Sequence, residues 1–343
     1  MTEQIRQLAT PAGISGREGI VRAAVEAVLA ACPAETRVQT DRLGNLLVEV
    51  TGRKRAARKV LFAAHMDEVG LMITGITEEG FLRFTEVGGI DPGVLFGHRV
   101  TVNGHVGVIG GKAVHQCSAE EKKRLPKTAD MLIDIGAADR AEAEAVARPG
   151  DTAVFEDRFL SLAGNRFVSK ALDDRAGCAL LLSLLEETPA YDITLAFTVQ
   201  EEVGLRGAAT AAFAVQPEIA VVVDATTAAD TAGVPEAKQV CRVGGGAVVS
   251  FMDRRTLYDH VLYDGILQIA REAGLPIQSK TMVAGGNDAG AIQTAGAGAR
   301  VAAVSLPCRY IHSPACLLVE EDVRHTGTLL RLLADTLPAE VTI

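Results

Sequence analysis

The chain has no tryptophan, and aromatic residues fill only 4% of its 343 positions. Its core must therefore be aliphatic and rich in alanine, and a hydrophobic content of 48% is enough to build one. The six cysteines (Cys32, Cys117, Cys178, Cys241, Cys308 and Cys316) show no CxxC spacing. Most lie in apolar surroundings, so they read as buried free thiols of a cytoplasmic protein. No apolar run is long enough to span a bilayer, and the N-terminal stretch does not read as a signal peptide. Excess positive charge is also missing. The net charge is −9, and the only basic cluster, Arg53–Arg58, reads as a solvated loop. Nucleic acid and membranes are therefore not expected partners. There is no repeat and no low-complexity linker. Gly285–Gly298 is rich in glycine and alanine but lacks the lysine and spacing of a phosphate loop.

What is present is alternation of strand and helix patterns. Ser15-Gly-Arg-Glu18 fits a capping box, followed by a helix with Ile20, Val21, Ala24, Val25, Val28 and Leu29 on one face. Asp41–Asn45 reads as a turn, and Leu46–Val50 and Lys59–Ala64 as strands. From Val69 to about Glu156 short alternating strands dominate, separated by glycine turns and one helix near Asp139–Ala147. The strand–helix alternation then resumes. Strands are expected at Ile193–Val199, Ile219–Val223, Gly244–Phe251 and Val301–Leu306. Helices are expected at Arg175–Glu187, Tyr258–Ala273 and Glu321–Leu337. The reading is an α/β fold: a mostly parallel sheet flanked by helices, carried by residues 1–68 and 160–343. Residues 69–159 form an inserted, small β-rich domain.

The strands end in a consistent way. KVLFAA runs into His65 and Asp67, ITLAFTV into Glu201 and Glu202, IAVVV into Asp224, and VAAVSLP towards His312. Open α/β sheets place ligand sites at the carboxyl ends of their strands. Asp173 joins this set from the start of a helix. A lone histidine at a strand end is more often structural, and Asp173-Asp174 alone could be an N-cap. The joint pattern is the signal. Imidazoles and carboxylates without thiolates suit ions of the zinc, cobalt or manganese kind. The set exceeds what one tetrahedral ion needs and suits two ions bridged by a carboxylate. Adjacent glutamates then have separate uses, one as ligand and one as base. Cys308 and Cys316 flank His312 and could compete as soft ligands. His98, His105, His115, His260 and His325 lack the strand-end setting.

These residues sit in motifs that resemble the tetrahedral aminopeptidases, cytosolic dinuclear metallopeptidases described as glutamyl, leucyl or deblocking enzymes and sometimes as endoglucanases or cellulases. The matching pieces are Ala64-His-Met-Asp-Glu-Val-Gly70, Gly88-Gly-Ile-Asp-Pro92, Lys170-Ala-Leu-Asp-Asp-Arg175, Gln200-Glu-Glu-Val-Gly204, Val223-Asp-Ala-Thr226 and Arg309-Tyr-Ile-His-Ser-Pro314. The resemblance implies that His65, Asp173 and Asp224 hold one divalent ion and that Asp173, Glu202 and His312 hold the other. It implies Glu201 as general base and Asp67 as the carboxylate orienting His65. It also implies that the insertion is a dimerisation domain, and that dimers assemble into a hollow dodecamer admitting short peptides. Three positions depart from the family's pattern: Asn287 where threonine is usual, Cys316 where an acid is common, and Gly244-Gly-Gly-Ala without a proline. These bear on substrate preference and leave the ligand set intact. The expected activity is removal of N-terminal residues from short peptides. The alternatives are a related two-metal deacylase or carboxypeptidase, with Arg309 reading a substrate carboxylate, and a catalytically idle assembly subunit. A glycosidase needs a metal-free acid/base pair, which this cluster does not suit.

Overall fold

The computed structural model describes residues 1–339. The last four residues of the 160–343 segment lie outside the described residues. The chain opens with helices α1 (Thr2–Ala9) and α2 (Gly19–Leu29), then strands β1 (Glu35–Thr40), β2 (Leu46–Thr51) and β3 (Val60–His65). Six strands follow: β4 (Gly70–Ile76), β5 (Leu82–Val87), β6 (Arg99–Val102), β7 (His105–Gly111), β8 (Met131–Asp134) and, after helix α3 (Arg140–Glu144), β9 (Thr152–Phe155). They close into a barrel in the order β4-β5-β8-β7-β6-β9. The barrel fills its interior with its own aliphatic cluster, including Leu71, Ile73, Val100, Val102, Ile109 and Ile133. Strands β10 (Leu160–Leu162) and β11 (Arg166–Ser169) lead back to helix α4 (Leu172–Ser183). Then come β12 (Ile193–Thr198), α5 (Arg206–Val215), β13 (Ile219–Thr227), β14 (Ala247–Val249), α6 (His260–Glu272) and β15 (Ile277–Ser279). The chain closes with α7 (Ala289–Ile292), β16 (Arg300–Cys308), β17 (Cys316–Val319) and α8 (Glu320–Thr336).

The main sheet has the order β1-β2-β12-β3-β13-β16-β14-β15. Its centre is parallel, with β12, β3, β13 and β16 running together, and the edge pair β14/β15 is parallel as well. The junctions β1/β2, β2/β12 and β14/β16 are antiparallel. The sheet is therefore mixed, where a mostly parallel one was expected: four of its seven junctions are parallel and three antiparallel.

Successive side chains of a strand point to opposite faces, and the central strands use this period. Val60, Phe62 and Ala64 of β3 join one core with α1, α2, α4, α6 and α8, whereas Leu61 and Ala63 join a second with α5 and α7. The second core is rich in alanine, including Ala196, Ala208, Ala211, Ala220 and Ala303, so the helices on that face lie close to the sheet. Burial on both faces explains why these strands read as continuous apolar runs.

Several local expectations are corrected. Ser15 and Glu18 form no capping box. The Ser15 hydroxyl donates to Asp67 Oδ2 at 2.6 Å, and Glu18 Oε1 accepts from Gly16 N and Gln200 N at 2.7 and 3.1 Å. Tertiary partners take both side chains before the helix can. Ile20 is exposed, while Val21, Val25 and Leu29 are buried. The strand expected over Gly244–Phe251 shrinks to Ala247–Val249, because Gly244 N and Gly246 N donate to the Asp322 carboxylate. The helix near Asp139–Ala147 is Arg140–Glu144, with Asp139 accepting from Glu142 N at its start.

Candidate metal centre

The carboxyl ends of the central strands bring the expected residues into one place. His65 ends β3, and its Nε2 lies 3.2 Å from Asp173 Oδ1 and 3.8 Å from Asp224 Oδ1. His312 sits in the loop between β16 and β17, with Nε2 3.4 Å from Asp173 Oδ2 and 3.2 Å from Glu202 Oε2. Two groups of donor atoms result, each compact enough to hold a metal ion: His65, Asp173 and Asp224, and Asp173, Glu202 and His312. Asp173 belongs to both. Asp174 belongs to neither, since its Oδ1 accepts from Gly177 N within the first turn of α4. The cysteines flanking His312 are in neither group. Cys308 Sγ donates to Arg309 O, and Cys316 Sγ to Tyr310 O and Ser313 O.

The backbone at these positions is unusual. Ala171, Gln200, Leu205, Tyr310 and His312 all have left-handed φ, between 54° and 60°, without being glycine. Such residues persist where the surroundings over-determine them, and here Leu205 and His312 line one cavity while Ala171, Gln200 and Tyr310 lie within two residues of Asp173, Glu201 and His312. Asn45, buried on the turn after β1, supplies part of that constraint. Its Oδ1 accepts from Val199 N, and its Nδ2 donates to Gly207 O, which clamps the Glu201-Glu202 turn from both ends. A Cβ on Gly207 would meet Asn45 Oδ1 at 2.3 Å, so only glycine permits this closure.

Asp67 ties the elements together. Its Oδ1 accepts from Glu201 N at 3.0 Å and lies 3.4 Å from His65 Nδ1, while its Oδ2 accepts from Glu202 N at 3.1 Å. Burial alone would raise the Asp67 pKa, but His65 and the donated hydrogen bonds hold it low. Underneath, Arg175 is fully buried and donates to Met66 O, Leu8 O, Pro11 O and Gly13 O. It fixes the His65–Asp67 turn against the N-terminal arm. Arg175 and Lys170 share one buried anion, Glu68, at 3.3 and 2.9 Å. Breaking such a network by removing one member strands a charge. Glu68→Ala should therefore destabilise the fold by about 3–5 kcal/mol, read as a lower denaturant midpoint at unchanged slope. A shift below about 1 kcal/mol would contradict this account of the cluster.

The charges at the centre are out of balance without added cations. Burial, followed by its neighbour Asp173, pushes Glu202 up to about 8. Burial likewise drives Glu201 and Asp224 well above the usual carboxylate range. His312 is lifted to about 10, because the Asp173 and Glu202 carboxylates outweigh the burial that would lower it. Acids and imidazoles crowded in this way suit divalent ions, both by donor type and by charge. A cavity of about 540 Å³ opens onto them, lined by His65, Asp173, Glu201, Glu202, Asp224 and His312 among others. Glu201 lines it with no side-chain hydrogen bond to another described residue.

The family model for the M42 glutamyl aminopeptidases matches residues 44–329. The chain belongs to the M42 family. Its members are hydrolases of peptide bonds, and this chain is an aminopeptidase of that kind. A candidate aminopeptidase of Acetivibrio thermocellus is 37% identical over 334 residues, covering 96% of this chain and 97% of that one. The lysyl aminopeptidase of Pyrococcus furiosus and the glutamyl aminopeptidase of Lactococcus lactis are each 31% identical, each match covering 98% of this chain and 97% of theirs. Among solved structures, an aminopeptidase from Desulfurococcus kamchatkensis superposes with a TM-score of 0.92 at 33% identity, covering 98% of this chain and 94% of that one. The TET1 peptidase of Pyrococcus horikoshii, which can assemble into a tetrahedron or a large octahedral shell, gives 0.85 at 34% identity, with 99% of each chain covered.

The geometry also bears on Arg309, the residue considered for reading a substrate carboxylate. It forms a two-point ion pair with Asp230, at 2.6 and 2.9 Å, and is thereby committed to the fold. Ser15, Asn45 and Arg175 are the residues that sequence reasoning missed. Of these, Arg175 closes the Lys170–Arg175 motif, and Ser15 reads in the sequence as part of a capping box. No described helix is long and apolar enough to cross a membrane.

Proposed function

We propose that the chain is a two-metal aminopeptidase that removes N-terminal residues from short peptides, with Glu201 as its general base. The observation that carries this reading is the pair of donor triads sharing Asp173. His65, Asp173 and Asp224 would hold one ion, and Asp173, Glu202 and His312 the other. Zinc, cobalt and manganese all suit these donors. When bound, such a pair of ions supplies an acidified water and polarises the scissile carbonyl.

The remaining work falls to this chain's side chains. Glu201 takes the proton from the attacking water and delivers it to the leaving amine, and its raised pKa suits a group that must hold and release a proton. Asp67 fixes the His65 ring and, through the Glu201 and Glu202 amides, aims both glutamates. Gly89 O accepts from His312 Nδ1 at 2.8 Å, which leaves Nε2 free towards Asp173 and Glu202. Gly89 lies between β5 and β6, so the barrel helps to set a residue of the centre. We assign residues 69–159 to a dimerisation domain and expect a homo-oligomer, by analogy with the TET1 shells.

The test is hydrolysis of aminoacyl-p-nitroanilides, free and N-acetylated, with cobalt or zinc and with chelator. Cleavage restricted to free amines and abolished by chelation is the expected result. Cleavage of the acetylated set would support a deacylase instead. Silence with metal bound would support an idle subunit.

A further inference from the structure

One neutral donor in the cavity is used neither by the donor triads nor by the fold. Asn287 is the single side-chain amide among the described residues that line the cavity, and it is only 6% exposed. Ala289 N donates to its Oδ1 at 3.0 Å. A backbone amide can only donate, so this contact identifies the oxygen and puts the NH2 group on the other side of the carboxamide. Among the described residues, Asn287 Nδ2 has no hydrogen-bond partner. Nor is it one of the buried side-chain atoms closed off without a partner. Its open side is therefore the cavity, which Glu201 and Asp224 also line.

The group is held firmly. The Tyr258 hydroxyl, which donates to Asp253 Oδ2 at 2.6 Å, packs 3.2 Å from Asn287 Oδ1. Gly290 N donates to Asn287 O at 3.1 Å, at the turn into α7. Next along the chain, buried Asp288 places Oδ2 2.5 Å from the Thr198 hydroxyl. Thr198 ends β12, three residues before Glu201. The loop that carries Asn287 is thus tied to the strand that leads to the glutamates. A donor fixed in advance in a largely buried site stabilises developing charge far better than one that must be ordered during the reaction.

A peptide bound beside the triads presents two kinds of polar group. Its α-amine is itself a donor and suits the carboxylates, whereas its carbonyl oxygens are acceptors. We propose that Asn287 Nδ2 donates a hydrogen bond to a carbonyl oxygen of the bound peptide. This rests on the aminopeptidase reading above. The oxygen belongs either to the scissile bond, where negative charge builds up as water attacks, or to the next residue along. A threonine hydroxyl at this position could also donate, so the departure at Asn287 exchanges one donor for another.

Two substrates separate these sources. Leu-p-nitroanilide has only the scissile carbonyl, whereas Leu-Gly-amide has a second one. Asn287→Asp keeps an oxygen facing Ala289 N and removes the donor. Asn287→Thr supplies a hydroxyl, and Asn287→Val has the same shape without it. Asn287→Asp and Asn287→Val should each lower kcat/KM by at least about 10-fold, with Asn287→Thr keeping more activity than Asn287→Val. Loss on both substrates, mainly in kcat, assigns the scissile oxygen. Loss on Leu-Gly-amide alone assigns the next carbonyl. Rates are compared per metal-loaded enzyme, and the two uncharged variants decide the matter if the added acid disturbs the metals. A role confined to holding α7 would lower the denaturant midpoint and leave kcat/KM of Asn287→Asp at the wild-type value. That result, or equal kcat/KM in Asn287→Thr and Asn287→Val on both substrates, overturns the assignment alone, provided the wild type cleaves Leu-p-nitroanilide. If the wild type cleaves neither substrate, both readings fall.

Discussion

Glu201→Gln should keep its metal and lose its turnover, with kcat lower by at least about 100-fold. Glutamine preserves the shape of the side chain and removes its capacity to take a proton. Glu201 is in neither donor triad, so metal content should not change. Its backbone amide, which donates to Asp67, is also retained. Normal metal content with lost turnover would separate a base from a ligand. Retained turnover would remove Glu201 from the chemistry, whereas joint loss of metal and turnover would make it a ligand.

Asp173→Asn should have the larger effect on binding. Asp173 contributes oxygens to both triads, Oδ1 towards His65 and Oδ2 towards His312. Burial would raise its pKa, yet the hydrogen bonds and charges of the two histidines hold it far below the usual carboxylate range. Asparagine offers one weaker oxygen in place of two anionic ones. Loss of a group that only orients a ligand already costs about 10–100-fold in metal affinity, and loss of a shared ligand should cost more at both positions. Asp224 belongs to one triad only, so Asp224→Asn should lose one ion where Asp173→Asn loses two. Plasma emission measurements after dialysis would read both. Equal losses from the two variants would contradict the bridging role.

The centre was legible because each of its residues follows a signal with a physical cause. The buried runs of β3, β12 and β13 must be apolar throughout, so an acid or histidine where they stop stands out. His312 follows β16 by a few residues and was reached through its motif more than through periodicity. Residues that hold the site from behind were hidden. Ser15 and Glu18 read as a local cap because their spacing permits one, and only the fold reveals that Asp67 and the Gln200 amide compete for them. Asn45 looked like an ordinary turn residue, since its partners Val199 and Gly207 are distant in sequence.

The sheet edges were equally opaque. β1 is exposed along most of its length and polar, so no apolar pattern marks it. Whether β2 or β14 runs parallel or antiparallel to its neighbour depends on the path of the chain between strands, and side-chain pattern carries no record of it. Helix α5 escaped notice because alanines on its buried face pack against a sheet surface that is itself rich in alanine, which leaves little contrast between its faces.

The most direct test of the account is the position of metal in crystals of the wild-type protein grown with zinc. Anomalous difference maps collected at the zinc edge should show two peaks about 3.5–4 Å apart, one beside His65 and Asp224, the other beside Glu202 and His312, with Asp173 between them. A single peak, or peaks away from Asp173, would contradict the two-metal centre.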